Sequence, residues 1–327
     1  MSLQPHSTKS DSLRISKSNH PDRAIVVVGS LAFDSIKTPF GSEEKILGGA
    51  ANHFALSAGF FTGIRLVGVV GEDMPEDYFS TMKNHGIDIE GLSVEPGKTF
   101  HWSGEYGKNL NEAKTLSTCL NVFEHFNPKL PESYRDSKYV FLANIDPDLQ
   151  TLVHSQVKKP KLVAMDSMNF WITSKRDSLL RALEISNLLT INEGEAFLLS
   201  GKSNIVEAAD AIRALGPKVL VIKRGEYGAL LFTDHGIFSA PALPLKSVKD
   251  PTGAGDTFAG GLMGYLAHEG VEHASWNQHE ATLRKAVIFG CVMASFCVED
   301  FGFRNTLRVT VPQAQDRFDT FMRMTRF

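Results

Sequence analysis

Short, continuous apolar runs recur along the chain, separated by segments whose apolar positions fall at helical spacing. The runs are residues 24–29 (AIVVVG), 65–70 (RLVGVV), 139–143, 162–166, 188–191 and 218–223. Strands that read apolar on both faces predict a mostly parallel sheet covered by helices on both sides. Asp166, Asn192 and Lys223 each close or directly follow one of these runs. In open parallel sheets ligands bind beyond the carboxyl ends of the strands, so these three residues are expected on a functional rim. Helices are predicted over residues 53–61, over 253–268 with a glycine-rich start, and over 280–296, which is strongly apolar.

Two stretches break this alternation. Residues 31–47 are too polar for a core and contain Pro39, Gly41 and a charged turn. Residues 98–122 place Phe100, Trp102, Gly104 and Tyr106 at every second position, which is one face of a strand. Both stretches predict antiparallel strands inserted into the α/β body, together forming a small sheet that acts as a lid over the rim. Packing of the Phe100/Trp102 stripe against the body competes with a ligand-facing role, and one face can do both. The expected organisation is therefore a tail at 1–22 and an α/β unit at 23–327 carrying the two lid segments. No internal repeat is visible.

Composition narrows the field. With 327 residues, 43% hydrophobic and 22% charged, the chain has ample material for a buried core. A net charge of −3 and the lack of a Lys/Arg block argue against a nucleic-acid partner. Lys158, Lys159 and Lys161 flank Pro160 and read as a solvated loop before a strand. Three cysteines, Cys119, Cys291 and Cys297, without a C-x-x-C, argue against a disulfide framework or a structural zinc site. Buried thiols in a reducing compartment are expected for all three. Residues 1–22 are rich in Ser, Lys, His and Pro and lack the apolar core of a secretory signal, so a disordered tail is expected. No apolar run approaches the roughly 18 residues of a membrane span. A soluble, cytoplasmic protein is expected.

Residues 250–258, DPTGAGDTF, carry the most chemical information. They read as a glycine-rich turn running into a helix. Gly253 and Gly255 let backbone N–H groups face a ligand unobstructed, and a helix start carries free amides and partial positive charge. Such a place binds phosphate. Asp256 falls in the first helical turn beside it. It is either an ordinary N-terminal helix charge or a carboxylate placed to take a proton from an attacking hydroxyl.

The string DPTGAGDTFAGG resembles the second signature of the ribokinase-like (PfkB) family, D-T-x-G-A-G-D. The resemblance implies a mostly parallel sheet flanked by helices with a β-sheet lid, and ATP-dependent phosphorylation of a sugar or nucleoside hydroxyl. It implies Asp256 as the catalytic base, with Gly253, Ala254 and Gly255 as the anion hole. Pro251 departs from the pattern and has no N–H, but its fixed φ suits the approach to a helix. Residues 47–52 (LGGAAN) resemble the family's first signature. By that resemblance Gly48 and Gly49 allow close backbone approach to the acceptor and Asn52 bonds its hydroxyls, one residue nearer than the usual G-G-x-x-x-N. Asp34, after the first strand, would by resemblance bind sugar hydroxyls; an Asx turn is the plainer reading.

Further segments fit the same resemblance. Asn192 and Glu195 match its N-x-x-E, which implies that Glu195 holds Mg²⁺ through water; a capping role for Asn192 is the alternative. Residues 223–228 (KRGEYG) resemble its nucleotide loop. Lys223 and Arg224 would face ATP, with Gly225 and Gly228 as the G-x-x-G; a plain hairpin turn also explains those glycines. A monovalent cation behind the anion hole is implied near Asp250 and Thr252, so K⁺ joins ATP and Mg²⁺ as an expected cofactor. In the family the lid is either a homodimer clasp or stands alone.

Phe40, Phe100 and Trp102 in the lid, and Trp171 beyond Asp166, are suited to stacking on a base or sugar face. No Arg/Lys pair for a sugar phosphate is apparent, so an unphosphorylated sugar or a nucleoside is favoured. A P-loop, a dinucleotide-binding G-x-G-x-x-G after the first strand, G-x-S-x-G and H-E-x-x-H are all absent from the sequence. The eleven histidines do not cluster, and His268, His273 and His279 read as a solvated loop. Two other function classes stay open: a metabolite sensor on the same fold, and a hydrolase with an acidic metal cluster. ATP-dependent turnover separates the kinase from both.

Overall fold

A computed structural model describes residues 20–325. The expected tail therefore lies almost wholly outside the described residues; its last part, Pro21–Arg23, forms a short 3-10 turn. The strands are β1 (Ile25–Val28), β2 (Ala32–Thr38), β3 (Gly41–Gly48), β4 (Ile64–Gly71), β5 (Ile87–Glu95), β6 (Phe100–Tyr106) and β7 (Ala113–Cys119). They continue as β8 (Tyr139–Leu142), β9 (Leu162–Asp166), β10 (Leu188–Asn192), β11 (Val219–Lys223), β12 (Ala229–Thr233) and β13 (Gly236–Ala240). The helices are α1 (Ala50–Ala58), α2 (Glu76–Asn84), α3 (Pro147–Gln156), α4 (Asn169–Ser174) and α5 (Arg176–Glu184). Then come α6 (Glu193–Ser200), α7 (Ile205–Arg213), α8 (Ala254–Glu269), α9 (Glu280–Cys297) and α10 (Val311–Thr325).

Nine strands form one sheet in the order β13-β12-β11-β10-β9-β8-β1-β4-β5. Strands β11 to β5 in that order run parallel; only β12 and β13 are antiparallel additions at one edge. Strands β1, β8 and β9 are buried at every position, as their unbroken apolar sequence requires. Two apolar layers cover the faces. One packs α1, α8 and α9 on the sheet around Phe54, Phe61, Phe141 and Phe289; the other packs Val153, Leu179, Leu199 and Ile212 on the opposite side. Close helix packing on the first face depends on small residues. A Cβ at Gly260 would stand 2.5 Å from the Phe54 carbonyl oxygen, and one at Gly264 2.9 Å from Ala58 Cα.

The second sheet has the order β3-β2-β6-β7. Its hairpins, β2–β3 and β6–β7, are antiparallel as expected, but they join through a parallel pair, β2–β6. The pairing Ala32↔Phe100, Asp34↔Trp102 and Ile36↔Gly104 puts Asp34 on the same face as the aromatic stripe. Ala32, Asp34, Ile36 and Thr38 on that face are buried, so it is the face turned to the body. The lid rests on the body at several points. Thr38 Oγ1 donates to the Lys249 carbonyl at 2.8 Å, Thr252 Oγ1 donates to Tyr106 Oη at 3.1 Å, and Arg304 forks onto Glu43 with both contacts at 3.0 Å.

Three expectations are corrected. Cys119 ends the exposed edge strand β7 and is itself exposed, whereas Cys291 and Cys297 are buried in α9. His268 belongs to the last turn of α8, not to a loop after it. Helix α1 begins at Ala50 and not at 53, because Gly49, at φ +95°, turns the chain straight into it.

Candidate active site

The carboxyl ends of β9, β10 and β11 and the start of α8 bound one cleft. Gly253 caps α8 in the left-handed conformation, φ +73°, with no side-chain cap on the helix. A Cβ there would lie 2.3 Å from the ring of His53, which is fully buried behind the loop. Burial lowers the His53 pKa to about 4, so the ring is neutral. Of the three expected anion-hole amides, Ala254 N–H is already held by the Pro251 carbonyl at 3.1 Å. Those of Gly253 and Gly255 make no hydrogen bond among the described residues. Two free amides at a helix start are a site for phosphate oxygens.

Asp250 sets the loop. Its carboxylate is fully buried and accepts the Thr252 N–H at 2.8 Å and the Gly302 N–H at 3.0 Å. Burial raises its pKa despite those bonds.

Asp256 lies in the first turn of α8. Loss of water raises its pKa to about 7, the Asp166 carboxylate adds to that, and Lys223 opposes it. Lys223 Nζ donates to Asp166 Oδ2 at 2.8 Å and stands 3.0 Å from where a Cβ on Gly255 would be. Burial works against the Lys223 charge, but Asp166 and Glu195 outweigh it and hold its pKa above the ordinary value. Glu195 is likewise raised to about 7, by burial first and by Asp166 next. Asp166, Glu195 and Asp256 thus all act on one ammonium, and Asp166 is the one in hydrogen-bond contact with it.

The sequence-derived nucleotide residues divide into two groups. Asn192 and Glu195 form a reciprocal capping box on α6, with both bonds at 2.8 Å, so the capping alternative for Asn192 is realised. Glu195 uses only Oε2 in it. Arg224 is tied to Glu193 at 2.8 Å and lies over the Tyr227 ring. Gly228, φ +85°, starts β12 where a Cβ would meet the Ala240 carbonyl oxygen at 2.0 Å, so a turn with close backbone approach accounts for it. Gly225, φ +55°, makes room for a lid residue: Asn111 Oδ1 is 1.8 Å from the Cβ position, and Asn111 Nδ2 donates to Glu226 at 2.6 Å.

On the acceptor side, Asp34 projects from β2 against Gly48, where a Cβ would lie 1.9 Å from its oxygen. Burial raises its pKa to about 7, Asp250 adds to this, and a hydrogen bond from Gly49 N–H partly offsets it. Asn52 departs from its expected place. It is fully buried in α1, donating to the Gly48 carbonyl at 2.7 Å and accepting from Tyr78 Oη at 2.8 Å. Its amide holds the glycine turn and is not turned to an acceptor. Phe100 stacks on Phe123 at 5.4 Å, which favours the packing explanation for this half of the stripe. Trp102 stays partly exposed, folded over Gly104, with Nε1 donating to Thr115 at 3.2 Å. Trp171 lies on the rim, bonded to Asn144 at 3.0 Å.

Tyr106 and Asn111 are the residues that sequence reasoning left out of the site, and Asp166 was expected on the rim without a role. Asp166 carried a signal, as a polar terminus of a buried strand. Tyr106 carried one as the fourth member of the stripe. Nothing local marks Asn111, whose partner is 115 residues away.

The structure thus brings a free-amide helix start and a raised carboxylate together under a β-sheet lid. Residues 22–309 match the pfkB family of carbohydrate kinases, and the chain belongs to that family. It is 30% identical to the cytidine kinase of Thermococcus kodakarensis over 249 residues, 74% of this chain and 88% of the relative. It is 25% identical to the nucleoside kinase of Methanothermobacter thermautotrophicus over 319 residues, 88% of this chain and 93% of the relative. The fold matches the nucleoside kinase of Methanocaldococcus jannaschii, an archaeal member of the ribokinase family. The TM-score is 0.72 at 22% identity, over 91% of this chain and 98% of the other. The protein is accordingly a phosphotransferase with a hydroxyl acceptor, from a kinase family that uses ATP. No helix among the described residues is long and apolar enough to cross a membrane.

Proposed function

We infer that the chain transfers the γ-phosphoryl group of ATP to a hydroxyl of a nucleoside, with a pyrimidine nucleoside as the first candidate. The placement of Asp256 beside the free Gly253 and Gly255 amides carries this reading. In the reaction the acceptor oxygen bonds to the γ-phosphorus and the bridging P–O bond of ATP breaks. The acceptor proton passes to Asp256, worth ~10²–10⁴ in rate. The two amides take the charge on the phosphoryl oxygens. The nucleoside preference rests on the relatives, named cytidine kinase and nucleoside kinase. Asp34 and the Gly48–Gly49 backbone hold the acceptor hydroxyls, and Trp102 and Trp171 are the partly exposed aromatic rings offered to a base.

Glu195, with Asp166 nearby, suits Mg²⁺, since both are oxygen donors in a field that already raises carboxylate pKa values. When bound with ATP, Mg²⁺ neutralises phosphate charge. Asp250 suits K⁺ for the same electrostatic reason: it is buried, raised, and has Asp300 as a further negative neighbour. A homodimer through the lid belongs to the same reading, because β7 is an edge strand exposed along its length. The decisive experiment is ADP release from ATP and Mg²⁺ across nucleosides, sugars and sugar phosphates, with Asp256→Asn alongside. Turnover on nucleosides, reduced at least ~10²-fold in the variant, is expected. Turnover on sugars alone removes the substrate assignment, and equal turnover by the variant removes the base.

A further inference from the structure

Lys223 is the last residue of β11 and Asp166 the last of β9; β10 lies between them. The lysine reaches across the whole width of β10 to make its 2.8 Å contact. The pair is nearly closed to solvent, with side-chain exposures of 16% and 6%. Asp166 is itself fixed, because its other oxygen accepts the Ser167 N–H at 2.7 Å. The ammonium ends 3.0 Å from the Cβ position of Gly255, so any larger residue there would crowd it. Gly255 also supplies one of the two free amides. The groups facing this ammonium are Asp166 from β9, Glu195 from α6 and Asp256 from α8. The next cation, Arg224, is taken by Glu193.

A brace between strands would explain a buried ion pair but not this one's position. The strands are already joined by their backbone ladders, and apolar replacement of a buried pair is often neutral or stabilising. What an apolar pair cannot supply is positive charge beside Gly255 that also acts on Asp256. Resting on the kinase reading above, we propose that Lys223 is a catalytic residue that meets the transferring phosphoryl group. Asp166 is the positioning residue that carries it across β10 and holds it under Gly255. Asp256 takes the proton of the acceptor, and Lys223 stands 3.0 Å from the Cβ position of Gly255, beside the amide proposed for the phosphoryl oxygens. The lysine therefore acts on the phosphoryl oxygens as charge builds on them and does not serve the ribose or the base.

The test is steady-state kinetics of the full chain with Lys223→Met, Lys223→Arg, Asp166→Asn and the Asp166→Asn/Lys223→Met double variant, with thermal unfolding of each. Lys223→Met lowers kcat by ~10²–10³-fold, as for loss of one preorganised donor, with KM for ATP changed only a few-fold. Lys223→Arg keeps the charge and recovers part of the rate. The acidic limbs of the pH profiles move in opposite directions. It moves down in Asp166→Asn, which removes a repulsion from Asp256 and Glu195, and up in Lys223→Met, which removes an attraction. The double variant removes the Asp166 charge that Lys223→Met alone leaves buried without its partner, so it folds even where Lys223→Met does not, and it remains slow. Retention of wild-type kcat by the folded single or double variant overturns the proposal. So do lower melting temperatures without change in kcat or pH limb, the mark of a brace. A wild-type chain that consumes no ATP overturns the kinase reading and this proposal with it. An active wild type beside an equally active Lys223→Met overturns this proposal alone.

Discussion

Adding one methyl group at Gly253 tests the anion hole without touching a charge. At φ +73° an alanine costs roughly 1–2 kcal/mol in backbone strain. Its Cβ would also press on the face of the His53 ring, 2.3 Å from Cε1 and Nδ1 and 2.4 Å from Cδ2. The ring cannot retreat freely. It packs edge-on to Phe303 at 5.6 Å, and Cys297 Sγ lies 3.8 Å from Nδ1. Restoring ordinary contact at 3.4 Å means that the ring or the loop moves by about an ångström. If the core yields, overpacking adds roughly 1–3 kcal/mol to the strain. If the loop yields, the Gly253 and Gly255 amides shift by that distance, and a misplacement of about 1 Å costs up to ~10²-fold in rate.

Gly253→Ala is therefore expected to lose ~10²-fold in kcat with a modest fall in melting temperature. Gly236→Ala is the control. Its glycine also has positive φ, +118°, but no atom lies within 4 Å of its Cβ position, and it opens β13 directly after the hairpin turn. It should lose stability and keep its kcat. The assay is coupled ADP release at saturating ATP and acceptor, with circular-dichroism melts of both proteins. A Gly253→Ala enzyme that melts early yet turns over within a few-fold of wild type would refute the assignment of these amides to the transferring phosphoryl group.

Three further outcomes follow from the same geometry. With the Asp256 pKa near 7, kcat/KM should fall about tenfold per pH unit below that value, because the base must be ionised; a flat profile down to pH 5 contradicts its role. Asp34, raised from 3.8 to about 7, holds a proton in the native state that the unfolded chain gives up, so its contribution is present below pH 4 and lost as pH rises through 7. Asp34→Asn should then melt higher than wild type at pH 8, match it near pH 4, and raise KM for the acceptor; equal melting at both values defeats the argument. Tyr106→Phe removes the lid's bond to Thr252, worth ~0.5–1.5 kcal/mol. Its ADP release should exceed product formation as water reaches the open cleft, and unchanged coupling would show that this contact does not close the lid.

How far the sequence reveals the fold depends on how local each signal is. Strands β1, β8 and β9 are buried on both faces, and their unbroken apolar runs show it. Strand β5 is an edge strand with most of its residues outside the core, so its polar sequence Ile87–Glu95 carries no such mark. The lid's two hairpins are visible from turn residues and period-two spacing, but their parallel β2–β6 junction brings together segments some seventy residues apart and has no local signature. Gly253, Gly255 and Asp256 are legible because the role proposed for them needs backbone freedom and a helix start within a few residues. Asn52 misleads for the opposite reason. The position after a Gly-Gly pair fits a ligand contact equally well, and only Tyr78, brought over from α2, shows that its amide is spent inside the core.

The same distinction explains where the chemistry concentrates. Asp34, Glu195 and Asp256 come from three different elements, and each is held near a pKa of 7 by burial before any neighbouring charge is considered. A sheet whose strands all end together, with a helix start facing them and a lid lowered across them, removes water from every carboxylate on the rim at once. Lys223 is the cation that acts on both Glu195 and Asp256, and neither carboxylate is brought back to its ordinary pKa. The site's own side chains therefore leave it under-neutralised, and ligands that relieve it carry cations to the carboxylates and phosphate oxygens to the free amides. A nucleotide with a divalent ion does both in a single step, so the electrostatics of these carboxylates and the phosphoryl transfer proposed for the site have one origin.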